Sequence, residues 1–451
     1  MKLFRKVLFW LHLSAGVFAG IVVLIMSVTG VALTYEKQML AWADLRDYRS
    51  APPTPDAQRL PMSTLLEKVR AERGELPPTV VIRPGPTDPV AFSYGREATI
   101  YANPYTGELL GQGSTGLRSF FRFMTDWHRW LGASTENRSV GKAITGACNL
   151  AFLFIVASGA YLWWPRSWKW PNVKSIVLFR GGLRGKARDF NWHNVIGFWS
   201  AVPLFFVVLS ATVISYPWAS DLAYRVTGEE PPARRGPGPA GPARKAGPKA
   251  ERDAAAKREP GRKREKADRG GESKGGLRAE APPPAGSGSG TAPREAARDS
   301  RDGAATEPAA EPVSLEGIDT LLARAEEQVD GWRTISMRVP QSSDEPVIFA
   351  IDQGSGGQPQ LRSTLTLDRN TAAVVAWETF NDGTAGRKLR SWLRFIHTGE
   401  AGGIAGQTIA GIVSGGAVFL VYTGLALTLR RFAAWLRRKR SRATERVLVE
   451  S

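Results

Sequence analysis

Four stretches of the chain contain no Lys, Arg, Asp or Glu and are dominated by Val, Ile, Leu, Phe, Gly and Ala: Val7–Tyr35, Ala143–Trp164, Phe190–Ser220 and Ala401–Leu429. Each reaches the ~20 apolar residues that a helix needs to cross a bilayer core. The pattern therefore predicts four transmembrane helices. Lys2, Arg5 and Lys6 precede the first, but its apolar run exceeds the ~7–15 residues of a signal peptide, so it is expected to remain as an anchor.

A different pattern fills the two long connections. Helical spacing over Ser63–Arg73 is followed by short alternating runs at Thr79–Arg83, Val90–Tyr94 and Ala98–Ala102, then a turn at Asn103–Gly107. The same order returns later: a helix around Leu315–Gln328, runs at Thr334–Val339, Val347–Ile351 and Leu361–Leu367, a turn at Asp368–Thr371, and a run at Ala373–Trp377. The expected fold is membrane α-helical, with four transmembrane helices and two small external α+β modules. It divides into a first span (1–35), a first module (36–117), an external-side helix with the second span (118–165), a basic loop (166–189), the third span (190–220), an insert (229–312), a second module (313–385), the fourth span (386–430) and a basic tail (431–451). The insert is rich in Pro, Gly, Ala and charge, with Leu277 as its one large aliphatic residue. Such a tract buries too little apolar surface to offset its ordering entropy, and disorder is expected there.

Charge sets the orientation. The chain holds 60 Lys+Arg against 42 Asp+Glu, a net of +18. Most of that excess lies in three places: the first six residues, the 165–189 loop and the tail from Arg430. Cations in short flanking segments are retained on the cytoplasmic side, so both termini and that loop are expected in the cytoplasm and the two modules outside. Because these cations flank spans instead of clustering on one domain, they point to membrane lipid and not to nucleic acid. Trp163, Trp164, Trp168 and Trp170 fit an interfacial aromatic belt.

The candidate chemistry is sparse. A single cysteine, Cys148, excludes a disulfide framework, a cysteine metal cage and an iron–sulfur cluster. No phosphate-cradling loop or nucleophile elbow occurs. Four histidines remain: His12 and His193 at the cytoplasmic mouths of the first and third spans, His128 and His397 before the second and fourth on the external side. If spans one and three pack together, and two and four likewise, each membrane face presents one facing pair, His12/His193 and His128/His397. That arrangement suits two porphyrin irons with two axial imidazoles each. Gly16 follows His12 by four residues and Gly197 follows His193 by four, which puts a small residue on the histidine face where a flat macrocycle would lie. A further parallel, Gly141–Gly146 against Gly406–Gly411, marks the halves as a duplicated unit.

Four segments together resemble the PepSY-associated transmembrane helix family: Arg5-Lys-Val-Leu-Phe-Trp-Leu-His12-Leu-Ser-Ala-Gly16, Tyr101-Ala-Asn-Pro-Tyr-Thr-Gly-Glu108, Ser158-Gly-Ala-Tyr-Leu-Trp-Trp-Pro-Arg166 and Asn191-Trp-His-Asn194. The family includes bacterial inner-membrane proteins linked to iron uptake, some of them similar to ferric-siderophore reductases. The resemblance implies two b-type haems ligated by His12, His128, His193 and His397, PepSY-like periplasmic modules, and an oxidoreductase acting on a ferric siderophore. Some relatives append a flavoprotein reductase; here the donor is expected to be separate, membrane quinol or a cytoplasmic reductase. Two other functions fit the sequence: a transmembrane reductase for a different periplasmic acceptor, and a haem-free sensor or scaffold that binds a periplasmic protein or peptide.

Overall fold

The computed structural model of the chain describes residues 2–95, 98–165, 168–233, 313–342 and 344–450. Most of the 229–312 insert lies outside the described residues. Four long helices carry the spans: α1 (Lys2–Leu33), α5 (Arg138–Trp163), α7 (Gly185–Ser215) and α11 (Gly403–Glu450). Shorter helices attach to them: α2 (Glu36–Tyr48), α4 (Thr115–Trp130), α6 (Trp170–Val177), α8 (Pro217–Val226) and α10 (Ala385–His397). The four long helices are long and apolar enough to cross a membrane. Their outer faces carry large apolar side chains in the open, such as Phe18 at 87 %, Ile412 at 68 % and Val202 at 66 % exposure. Water would penalise so many exposed groups on one bundle, and lipid does not.

The four spans pack as a ring. α1 lies against α5 and α11, and α7 lies against the same two. Spans one and three thus face each other across the bundle instead of packing together, and so do spans two and four. A cluster of Leu204, Val208, Val413 and Ala417, with Phe152, Leu153 and Val156 against it, packs α5, α7 and α11 together. Asn149 crosses it, donating to the Val208 carbonyl at 3.1 Å and the Thr212 hydroxyl at 2.9 Å.

Several helix ends differ from the apolar runs. The third run continues to Ser220, but the helix stops at Ser215 and a new one begins at Pro217, whose ring cannot continue the preceding helix. The 386–430 segment is two helices. Between them Gly399, at φ +74°, lies so close to the Gly406 carbonyl that a Cβ at either glycine would collide with the other's backbone. Gly141 meets the Trp130 carbonyl in the same way after α4. The sequence parallel between Gly141–Gly146 and Gly406–Gly411 thus marks two equivalent chain reversals.

The two expected modules are one body. Strands β1 (Thr79–Ile82), β2 (Val90–Tyr94), β3 (Ala98–Ala102) and β4 (Leu109–Gln112) form an antiparallel meander, and β5 (Thr334–Arg338), β6 (Val347–Asp352), β7 (Arg362–Leu367) and β8 (Val374–Thr379) form another. They join through their first strands into a single eight-stranded sheet of order β4-β3-β2-β1-β5-β6-β7-β8. Val80 pairs with Met337 and Ile82 with Ile335 across the seam. Helices α3 (Met62–Arg73) and α9 (Ile318–Glu327) cover one face over a shared core that includes Leu66, Phe92, Leu321 and Phe349. Asp319 of α9 accepts from the Ser63 backbone at 3.2 Å, satisfying an orphan N–H at the start of α3. The halves share details too. Each has a register shift in its last strand pair, at Tyr101/Ala102 and at Thr366/Leu367. Each turns through an Asn or Asp whose side chain accepts from the backbone two residues on, Asn103 from Tyr105 at 2.9 Å and Asp368 from Asn370 at 3.1 Å.

The sheet is tied to the helices at both sides. Asp44 of α2, 2 % exposed, accepts from the Tyr101 hydroxyl at 2.8 Å and from the Ser114 backbone at 2.7 Å, and it pairs with Arg118 of α4. Burial and the Asp44 carboxylate push the Tyr101 phenol above its ordinary value. Opposite, Lys37 of α2 donates to the Gly356 carbonyl, between β6 and β7, at 3.3 Å and meets Glu400, just before α11, at 2.9 Å.

Candidate functional site

The chain's four histidines lie two toward each end of the bundle. His12 lies near the start of α1 and His193 near the start of α7, the helices that face each other across the bundle. His128 and His397 are not on spans. They end the short helices α4 and α10, which pack against α1 and α7 respectively. Their rings come together with centroids 6.2 Å apart, tilted 50°. Two imidazoles on opposite sides of one metal, at roughly 2 Å per bond, place their ring centres about 6 Å apart.

Each ring has one nitrogen committed. His12 Nδ1 lies 2.8 Å from Ser158 Oγ, His193 Nδ1 2.9 Å from Thr423 Oγ1, and His128 Nδ1 3.0 Å from Thr29 Oγ1. His397 Nδ1 lies 3.0 Å from the Val207 carbonyl. A carbonyl can only accept, so His397 carries its proton on Nδ1. The three hydroxyls donate their single hydrogen to their own helices, Ser158 to Phe154 O at 2.6 Å, Thr423 to Phe419 O at 2.7 Å and Thr29 to Ile25 O at 2.7 Å. With that hydrogen placed on the helix carbonyl, each hydroxyl is assigned as the acceptor of Nδ1–H. All four rings therefore keep the Nε2 lone pair for a ligand.

Glycine gives three of the rings their space. A Cβ on Gly159 would stand 3.3 Å from His12 Cε1, one on Gly424 3.5 Å from His193 Cε1, and one on Gly30 3.5 Å from His128 Cε1. Each glycine directly follows the hydroxyl residue that holds the ring. Of the two glycines expected beside the histidines, Gly16 borders open space, while a Cβ on Gly197 would meet Leu420 of α11 at 3.6 Å. The sequence carried a signal for the true neighbours: Thr29-Gly30, Ser158-Gly159 and Thr423-Gly424 are each followed by Leu three residues after the glycine.

Polar locks hold the His193 end in place. Asp189, one turn before His193 and fully buried, lies between Arg188 at 2.8 Å and Arg430 of α11 at 3.1 Å. Asn191 donates to Ser175 O at 3.2 Å and accepts from the Arg180 backbone at 3.0 Å, fixing the loop through α6. Among the described residues, no three His, Cys, Asp or Glu side chains converge to hold a bare metal ion. The groups that could hold a cofactor metal are the four imidazoles.

A ring of four lipid-facing helices carrying an antiparallel sheet domain defines a multi-pass membrane protein. The chain belongs to the family of the PepSY-associated TM region, which matches residues 9–431. No curated protein matches the chain.

Proposed function

We propose that this is a di-haem b electron-transfer protein of the bacterial inner membrane that reduces a ferric siderophore in the periplasm and releases Fe(II). The observation that carries the proposal is the placement of two imidazoles toward each end of one bundle, each bonded through Nδ1, with the His128 and His397 rings 6.2 Å apart. His12 with His193, and His128 with His397, would each hold one haem iron, and when bound the two haems would supply one-electron transfer. His12 and Thr29, which mark the two sites on α1, are seventeen residues apart. At roughly 1.5 Å per residue that is about 25 Å, most of the ~30 Å hydrocarbon core.

The protein's own groups have defined tasks. The hydroxyl and carbonyl acceptors orient the rings, the glycines leave room for them, and the apolar cluster of α5, α7 and α11 excludes water. Basic flanks at Arg180, Arg184, Lys186, Arg430 and Arg431 favour a cytoplasmic position for the His12/His193 end. The joined sheet, read as PepSY-like, would dock the acceptor beside the His128/His397 end. One electron reduces each ferric ion. A quinol donor would release two protons and serve two ferric ions, and a soluble reductase would serve equally. Hard oxygen donors hold Fe(II) less tightly than Fe(III), so reduction frees the metal.

The test is anaerobic mixing of the dithionite-reduced, purified protein with a ferric hydroxamate or ferric catecholate siderophore, monitoring the reduced haem band and Fe(II) release. Rapid reoxidation with stoichiometric Fe(II) is expected. Reoxidation no faster than in buffer would reject the siderophore as substrate.

A further inference from the structure

The four rings are not held alike, and the difference has a direction. His12 and His193 lie 181 positions apart in sequence, and so do Thr29 and Ser210. Ser210 is therefore the counterpart, on α7, of the hydroxyl that accepts from His128. It is fully buried. Yet the ring beside it, His397, donates to the Val207 carbonyl at 3.0 Å, and Ser210 Oγ donates to that same carbonyl at 2.8 Å. Three hydroxyls thus take a hydrogen bond from a ring, while the fourth loads the carbonyl that takes it.

Resting on the di-haem reading, we infer that Ser158, Thr423, Thr29 and Ser210 are positioning residues that set the electron-donating power of each axial imidazole. A hydrogen bond accepted from Nδ1–H makes Nε2 more basic, and a more basic axial ligand favours the ferric state. Removing such an acceptor raises the midpoint potential. Ser210 acts in the opposite sense. A carbonyl shared among donors is a weaker acceptor for each, so removing the Ser210 hydroxyl leaves more of the acceptor strength of Val207 O to His397 and lowers the potential. The sites are also addressed separately. Ser158 and Thr423 serve the His12/His193 site, and Thr29 and Ser210 serve the His128/His397 site.

The experiment is a spectroelectrochemical titration of the purified full-length protein and of Ser158→Ala, Thr423→Val, Thr29→Val and Ser210→Ala, with haem per chain and the low-spin ferric resonance signals recorded in parallel. Two resolved midpoints are expected in the unaltered protein. Ser158→Ala and Thr423→Val should both shift one of them upward, Thr29→Val should shift the other upward, and Ser210→Ala should shift that same one downward. If a variant loses its haem, the conservative change at that position (Ser158→Thr, Thr423→Ser, Thr29→Ser or Ser210→Thr) should restore both haem and midpoint. Failure of that rescue would overturn the inference. So would full haem content with unmoved midpoints, or a Ser210→Ala shift of the same sign as Thr29→Val. An unaltered protein that binds no haem would instead overturn the function on which the inference rests.

Discussion

The imidazoles of His128 and His397, 269 positions apart in sequence, face each other with ring centroids 6.2 Å apart. Neither residue reaches that place from a span. α4 and α10 fold back beside α1 and α7, and each ring is turned by an acceptor on the span it lies against, Thr29 Oγ1 and Val207 O. If each pair holds one haem, His12→Ala and His193→Ala should abolish the same spectral component, and His128→Ala and His397→Ala the other. Haem per chain should fall from about two to about one in all four. Loss of different components by the members of one pair would refute the pairing.

Filling the space beside a ring tests the same sites without touching a ligand. Gly159→Leu and Gly424→Leu place side-chain atoms where Cβ contacts to the imidazoles are already 3.3 and 3.5 Å. Both should deplete haem at the His12/His193 site, while Gly30→Leu should deplete the other. Losses of roughly 10- to 100-fold in affinity are typical when groups that orient a metal ligand are disturbed. Equal depletion of both sites by any one variant would show a general folding defect.

The joined sheet predicts shared unfolding. Phe92 and Phe349 belong to different halves but are fully buried in one core. Phe92→Ala and Phe349→Ala should each cost about 3–5 kcal/mol and lower a common thermal transition. Two separate transitions, each sensitive to one substitution, would mean that the halves fold independently.

A small stabilisation should be available at the second turn. Gly107 and Ala372 occupy equivalent left-handed positions, at φ +71° and +54°, and only the glycine adopts that conformation without strain. Ala372→Gly should stabilise the sheet domain by roughly 0.5–1 kcal/mol, read as a rise in its unfolding temperature. A fall would contradict the turn geometry.

Alkaline conditions should loosen the link between sheet and membrane helices. Because its folded value is raised by burial and Asp44, the Tyr101 phenol contributes stability that is fully present below the ordinary tyrosine value of about 10. That contribution is lost as pH rises through the raised folded value. Tyr101→Phe should weaken the domain at neutral pH and flatten its loss of stability above about pH 10. An unchanged alkaline profile would remove Tyr101 as its cause.

The spans, the first three strands of the first half, all four of the second and the four histidines are legible because their signals are local: charge-free runs, period-two alternation and a residue type too rare to overlook. The seam between β1 and β5 is not, since Val80 and Met337 lie on either side of the long insert and nothing in either strand names its partner. β4 escaped notice because Leu109-Leu-Gly-Gln has no alternation. The recurring hydroxyl–glycine pairs at Ser158, Thr423 and Thr29 mark a repeat but do not tell what the hydroxyls bind, for a deeper reason. A hydroxyl inside an apolar helix commonly bonds its own i−4 carbonyl, and only the fold shows that its lone pairs meet an imidazole from another helix. Gly16 and Gly197 came from same-face spacing, which finds residues beside a histidine on its own helix but not Gly159 or Gly424, which approach the ring from a neighbour.

The most direct test of the central claim is the haem content of the detergent-purified chain, from its pyridine haemochrome and its reduced-minus-oxidised spectrum. About two b-type haems per chain are expected, both six-coordinate and low-spin. A haem-free chain made under iron- and haem-replete conditions would contradict it, leaving a four-span protein whose sheet domain acts as a sensor or scaffold.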